Sequence, residues 1–161
     1  MRIIGVDPGT ATTGFGVIDQ THGQLVLVDA GVITTSPTMN MEERLIILHE
    51  ELSQIVAETK PEMASVEQLF FAKNVTTAIA VGQARGVILL SLAEAKLPIA
   101  EYTPMQIKQA VTGYGGAKKQ QIQSMVKALL KLKEIPRPDD AADALAAAIT
   151  HANQIRVSGS V

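Results

Sequence analysis

Ile3-Ile4-Gly5-Val6-Asp7-Pro8-Gly9-Thr10 is an apolar run near the N-terminus that stops at a carboxylate and then breaks. Apart from Gly5 its successive positions are apolar up to Val6, the pattern of a strand covered on both faces of a sheet. Pro8 has no amide to give a ladder and Gly9 opens backbone angles closed to other residues, so the strand ends here and the chain turns. Asp7 is thereby expected at the C-terminal tip of a central strand, where a carboxylate costs stability unless a cation or a donor meets it. Two readings stand: a turn residue bonded to local backbone amides, or a ligand that needs partners from elsewhere in the chain.

Beyond this turn, Gly14–Asp19 and Gln24–Thr34 read as strands joined by a hairpin over Gln20-Thr21-His22-Gly23, so the first three strands form an antiparallel meander. Gly14 and Gly16 alternate and leave one face of the second strand bare, room for another backbone or a ligand to approach. Asn40 with Glu43 three residues on has the spacing of a capping box, and Leu45, Leu48, Leu52, Ile55 and Val56 recur at helical intervals until Lys60-Pro61. The next run, Met63-Ala64-Ser65-Val66, again stops at a carboxylate, Glu67. If it pairs parallel to the first strand across that helix, Asp7 and Glu67 share the edge where open α/β sheets place their sites. Alone, Glu67 reads as an ordinary strand-end acid.

Val75–Ala95 reads as a long helix with Ala78, Gly82 and Gly86 at intervals of four, a spacing that serves either packing on the protein's own sheet or a homodimer interface. Leu97–Tyr102 is a fifth strand, and Thr103-Pro104 opens a helix. The glycine-rich loop Thr112–Ala117 leads into a helix headed by Lys118-Lys119, cations placed against the helix dipole as if something negative were expected nearby. After Pro136-Arg137-Pro138, Asp139–His151 is an alanine-rich helix with Asp140 and Asp143 on one face of its first turn and Asp139 as its expected cap. Residues 1–152 make one expected domain, and 153–161 an expected flexible tail.

The chain has 161 residues, 47% of them apolar, enough for one sizeable core, and no Cys, which excludes disulfides and thiolate metal sites and fits a reducing cytoplasm. No apolar stretch is expected to approach the roughly 20 residues of a membrane span, and the chain enters its first strand without a charged leader. The net charge of −2 conceals a division: seven basic residues lie between Tyr102 and Arg137 against Glu134 alone, while Glu42, Glu43, Glu50, Glu51, Glu58 and Glu62 crowd an earlier segment. Such a basic face suits a phosphate polymer; a solvated helix surface is the plainer account.

Convergence of Asp7, Glu67, Asp140 and Asp143 would set like charges against one another, a conflict that divalent cations resolve. Oxygen-only donors favour a hard ion, Mg²⁺ or Mn²⁺, over zinc, and a pair of such ions suits in-line displacement at phosphorus.

Four stretches, in order, resemble the RuvC family of bacterial Holliday junction resolvases: Gly5–Thr10, Val66–Asn74 (VEQLFFAKN), Gly82–Gly86 (GQARG) and Asp140–Ala146 (DAADALA). The resemblance spans nearly the whole chain. It implies a ribonuclease-H-like α/β fold, a five-stranded mixed sheet flanked by helices. It further implies a metal-dependent endodeoxyribonuclease that nicks two opposed strands of a four-way junction as a homodimer, leaving 5′-phosphate and 3′-hydroxyl ends, with two Mg²⁺ per subunit and the RuvA–RuvB branch-migration complex as partner. By the same resemblance Asp7, Glu67, Asp140 and Asp143 are the catalytic metal ligands. Phe70 is a base-stacking ring, Lys108 and Lys119 lie on DNA, and Lys118, Arg85 and Lys73 are further DNA contacts. With Phe71 adjacent, one ring of the pair faces away from the core if the segment is extended.

Two other enzyme classes share the first motif. A ribonuclease-H-fold enzyme acting on RNA shares the Asp7 strand, but the Phe70 segment and the pair Asp140 and Asp143 favour the resolvase. An actin-like or sugar-kinase ATPase begins its phosphate loop with Asp-x-Gly-Thr but needs a second domain and a second loop. A nucleic-acid binder without catalysis would not need four acids beside the basic face.

Overall fold

In the computed structural model, which describes residues 1–69 and 74–158, β1 (Arg2–Asp7) is the middle strand of a five-stranded sheet ordered β3-β2-β1-β4-β5. β2 (Thr12–Thr21) and β3 (Gln24–Thr34) are antiparallel beside it, the expected meander, and β4 (Met63–Glu67) and β5 (Ile99–Tyr102) are parallel on its other side. Parallel neighbours need crossovers, supplied by α1 (Met41–Thr59) and α2 (Val75–Glu94). The remaining helices are α3 (Pro104–Thr112), α4 (Lys119–Leu129) and α5 (Asp139–Ser158). This is the mixed α/β sheet flanked by helices expected of a ribonuclease-H-like fold.

Local chemistry sets the element ends. The Asn40 amide donates to Glu43 Oε2 at 3.1 Å to open α1, and Thr103 and Gln106 exchange bonds of 2.8 and 3.1 Å to open α3. Lys60 closes α1 in the left-handed region at φ 51°.

The period of two along β1 divides the molecule into layers. Ile4 and Val6 pack with Ala64, Val66, Leu52 and Ile88 on the α1–α2 side. Ile3 packs with Leu145, Ile149, Val126 and Ile107 on the side of α3, α4 and α5. Gly5 faces that second side, and a Cβ there would run into the Ala144 carbonyl oxygen. At Gly14 it would meet the Asp140 carbonyl, and at Gly16 the Leu145 side chain. The bare strip foreseen on β2 is thus filled by α5, its backbone at Gly14 and the Leu145 side chain at Gly16, rather than by a ligand. Buried Ala141, Ala142, Ala144, Ala147 and Ala148 complete this close fit of an alanine helix on glycine strands.

Three expectations from sequence are corrected. Helix α5 continues to Ser158 instead of fraying after Ala152, because Gln20 Nε2 donates to the Ala152 carbonyl at 3.2 Å and Asn153 Nδ2 to the Ala110 carbonyl at 3.3 Å. Asp139 lies in the first turn of α5 rather than capping it, and its carboxylate reaches across to α4. α2 is, by length and composition only, long and apolar enough to cross a bilayer. Thr76, Thr77, Gln83 and Arg85 interrupt its apolar residues and hide this character along the chain. Ala84, Ile88 and Leu92 of this helix are buried, whereas Val75, Ile79 and Leu90 are exposed and nothing lies within 4 Å of a Cβ built on Gly82 or Gly86.

Candidate active site

Asp7 and Glu67 end adjacent parallel strands. Each lies two residues beyond a contact with α5, Gly5 under Ala144 on β1 and Ser65 on β4, whose buried hydroxyl donates to the Ala147 carbonyl at 2.7 Å. Alternation therefore points both carboxylates at the first turns of α5, where Asp140 and Asp143 stand. The turn after Asp7 is held by Thr13, donating to the Gly9 carbonyl, and Thr35, donating to the Thr10 carbonyl, each at 2.7 Å. Asp7 is thus left facing the groove instead of serving its own turn.

That groove, of about 390 Å³, is lined by Asp7, Glu67, Asp143, Lys108 and Lys119, with Ile107 and Ile122 as apolar wall. Asp140 is set to one side, its backbone packed over Gly14, and acts on Asp7 through its charge. Burial, then Glu67, Asp143 and Asp140, push the Asp7 carboxyl up to about 8. Burial and Asp143 raise Glu67 as well, while its hydrogen bond with Asp7 and the ammonium groups of Lys108 and Lys119 pull it back. Burial also raises Asp143, opposed chiefly by Lys119. Like charges brought together at partial burial destabilise the ionised forms, which is why Asp7 and Glu67 are both raised.

The donor set fits a hard divalent cation, being oxygen-only and unable to carry its full charge unaided. Among the described residues no three Asp, Glu, His or Cys side chains are already drawn into a coordination cluster. The pairing of Asp143 with Lys119 at 3.4 Å is one reason, since it turns a carboxylate oxygen toward an ammonium.

The basic residues divide. Lys108 and Lys119 enter the groove. Lys118 stands exposed at the head of α4, its amide donating to Gln121 Oε1 at 2.7 Å. Arg85 is on the opposite side of the sheet, its guanidinium paired with Glu101, which also accepts from Gln68 Nε2 at 3.4 Å. This ties α2 to β5, so the structure does not bring Arg85 to the groove. Phe70 and Lys73 lie outside the described residues.

Sequence reading took Asp139 for a helix cap only, whereas it accepts from Gln123 Nε2 at 3.0 Å and pairs with Lys119 Nζ at 3.3 Å, and it missed the Tyr102–His151 pair, joined at 2.8 Å. Alternation along β5 was the available signal for Tyr102, which it puts on the face of Glu67. For Asp139 there was none, because its partners lie on another helix.

Residues 3–151 match the family described as crossover junction endodeoxyribonuclease RuvC. A relative of that name from Roseiflexus sp. (strain RS-1) is 57% identical over 150 residues, 93% of this chain and 89% of the relative. The solved structure of Thermus thermophilus RuvC superposes with a TM-score of 0.90 at 38% identity, covering 98% of this chain and 97% of the other. The same Thermus protein in complex with a Holliday junction substrate gives 0.93 at 38% identity, over 98% and 96%. The match of the family over nearly all of the fold, with these carboxylates and lysines at one groove, establishes that the chain belongs to the RuvC family.

Proposed function

We propose that this protein is an endonuclease that resolves four-way DNA junctions in recombination and repair, nicking two opposed strands by metal-dependent hydrolysis to leave 5′-phosphate and 3′-hydroxyl ends. The observation that carries the reading is the convergence of Asp7, Glu67 and Asp143 on an open groove flanked by Lys108 and Lys119. Asp7, Glu67, Asp140 and Asp143 would hold Mg²⁺, two ions per subunit, with Mn²⁺ able to substitute. Ions held there would supply the charge that makes water a nucleophile at neutral pH and that offsets the leaving oxygen.

The chain's own groups do the rest. Lys108 and Lys119 attract and orient the phosphodiester, and the apolar wall of Ile107 and Ile122 excludes bulk water from one side. Asp7, which feels the charges of Glu67, Asp143 and Asp140, would be the acid around which the ions are held. Phe70, stacking on bases near the junction centre, follows from the family resemblance; Lys118 and Lys73 are further DNA contacts on the same ground. Arg85 pairs with Glu101, which also accepts from Gln68 Nε2.

Symmetric nicking requires two sites related by a two-fold axis. The outward face of α2, with Val75, Ile79, Gly82, Gly86 and Leu90 exposed, supports a second copy of this chain as its cover. A protein interface also accounts for the apolar character of α2 without a membrane. The bacterial cytoplasm, where the DNA lies, is the site of action, and cooperation with RuvA–RuvB follows from the family.

The test is to incubate the protein with a labelled four-way junction or a plain duplex, with and without Mg²⁺. Paired nicks on the junction alone, dependent on Mg²⁺ and lost in Asp7→Asn with junction binding retained, are the expected outcome. Equal cleavage of the duplex, or activity in Asp7→Asn, would overturn it.

A further inference from the structure

Lys119 and Gln123 are four residues apart on α4 and face Asp139 and Asp143, four apart on α5. Lys119 Nζ stands between the two acids, 3.3 Å from Asp139 Oδ2 and 3.4 Å from Asp143 Oδ2. The two carboxylates differ in their other contacts. Asp143 opens onto the groove beside Asp7 and Glu67. Asp139 does not line it, and its other oxygen is already engaged by Gln123 Nε2 at 3.0 Å and Arg137 Nη1 at 3.4 Å. One acid is therefore available to a metal ion and the other is anchored.

We propose that Lys119 is a displaceable counter-cation: it neutralises Asp143 in the metal-free protein, and Asp139 is the positioning residue that receives it when a divalent ion takes Asp143. The inference rests on the assignment of Asp143 as a metal ligand. An ammonium at 3.4 Å occupies lone pairs that an incoming ion needs, and its positive charge repels the ion, so Lys119 competes for the site. Release from Asp143 needs only side-chain rotation, because the second acceptor is already within 3.3 Å of the same nitrogen. Retained by Asp139, the ammonium stays at the rim of the groove, where a phosphate arrives, instead of swinging into solvent. An ion can shift Lys119 only to the extent that it binds Asp143 better when Lys119 has somewhere to go, which makes Asp139 part of the metal affinity without being a ligand.

The experiment is calorimetric titration of the DNA-free protein with MnCl₂ at low ionic strength, using wild type, Lys119→Met, Asp139→Asn and the double variant. Lys119→Met is expected to bind Mn²⁺ roughly three- to tenfold tighter, the competitor being gone. Asp139→Asn is expected to bind roughly three- to tenfold weaker, because Lys119 then stays on Asp143. In the double variant the penalty of Asp139→Asn should vanish, leaving the affinity of Lys119→Met. An unchanged or weaker affinity in Lys119→Met would overturn the proposal. So would the same Asp139→Asn penalty in both backgrounds, which would mean that Asp139 acts on the ion directly. Failure of wild type to bind Mn²⁺, or binding that survives Asp7→Asn, would instead overturn the metal assignment and this inference with it.

Discussion

Gly5 lies so close beneath Ala144 that a side-chain carbon on the glycine would run into the Ala144 carbonyl oxygen. The contact sets how deeply α5 sits on the sheet, and so where Asp140 and Asp143 stand relative to Asp7. Gly5→Ala forces backbone apart where no flexible side chain can yield. We expect a loss of about 3 kcal/mol in urea unfolding, with Mn²⁺ affinity reduced in the fraction that folds. A variant as stable as wild type would show that α5 is not seated by this contact.

The raised carboxyl of Asp7 makes the metal-free protein sensitive to alkali. The folded state holds a proton that the unfolded chain has already lost, so stability is full below the unfolded value of 3.8 and declines as pH rises toward about 8. Asp7→Asn removes the charge that must not form. At pH 8 it should be more stable than metal-free wild type by roughly 2 kcal/mol, a gap that narrows toward pH 5. Thermal melts across this range check the sign. Mg²⁺ should raise the melting temperature of wild type more at pH 8 than at pH 6, where protons compete for the ligands.

The outward face of α2 predicts an oligomeric defect separable from the chemistry. Ile79 is 59% exposed, so Ile79→Glu costs the monomer little. In light scattering at micromolar concentration it should shift the mass from dimer to monomer. Coupled nicking of both strands should then be lost while Mn²⁺ binding persists. An unchanged dimer would move the interface elsewhere.

Tyr102 and His151 form a partly buried polar pair, from the Tyr102 hydroxyl to His151 Nδ1 at 2.8 Å, with His151 Nε2 buried and without a hydrogen-bond partner among the described residues. Burial lowers the imidazole below its usual range, so the fold keeps it neutral. Stability from this group is present above the unfolded value of 6.5 and lost as pH falls, the opposite slope to Asp7. Tyr102→Phe, which strands the second nitrogen as well, should cost roughly 1–2 kcal/mol in urea unfolding at pH 7.

Much of this architecture is local and could be read from the chain. The break at Pro8-Gly9 ends β1, Glu67 ends β4, and the caps at Asn40 and Thr103 start their helices because the groups concerned are sequence neighbours. Periodicity likewise places Asp140 and Asp143 on one side of α5. Other features join residues distant in sequence and depend on how deeply one layer sits on another. Alternating glycines on β2 admitted a ligand or a backbone equally; only packing shows that α5 fills the space.

The basic face had the same ambiguity. Seven cations between Tyr102 and Arg137 are alike by composition, yet Lys108 and Lys119 enter the groove, Lys118 does not, and Arg85 on α2 is taken by Glu101. Sequence by itself determined that Asp7 ends a central strand and that three more acids await it. The family resemblance pointed to Lys108 and Lys119, but only tertiary structure brings them to the acids and leaves Lys118 and Arg85 apart, because the energy of a charge depends on distance and burial, and neither is written along the chain.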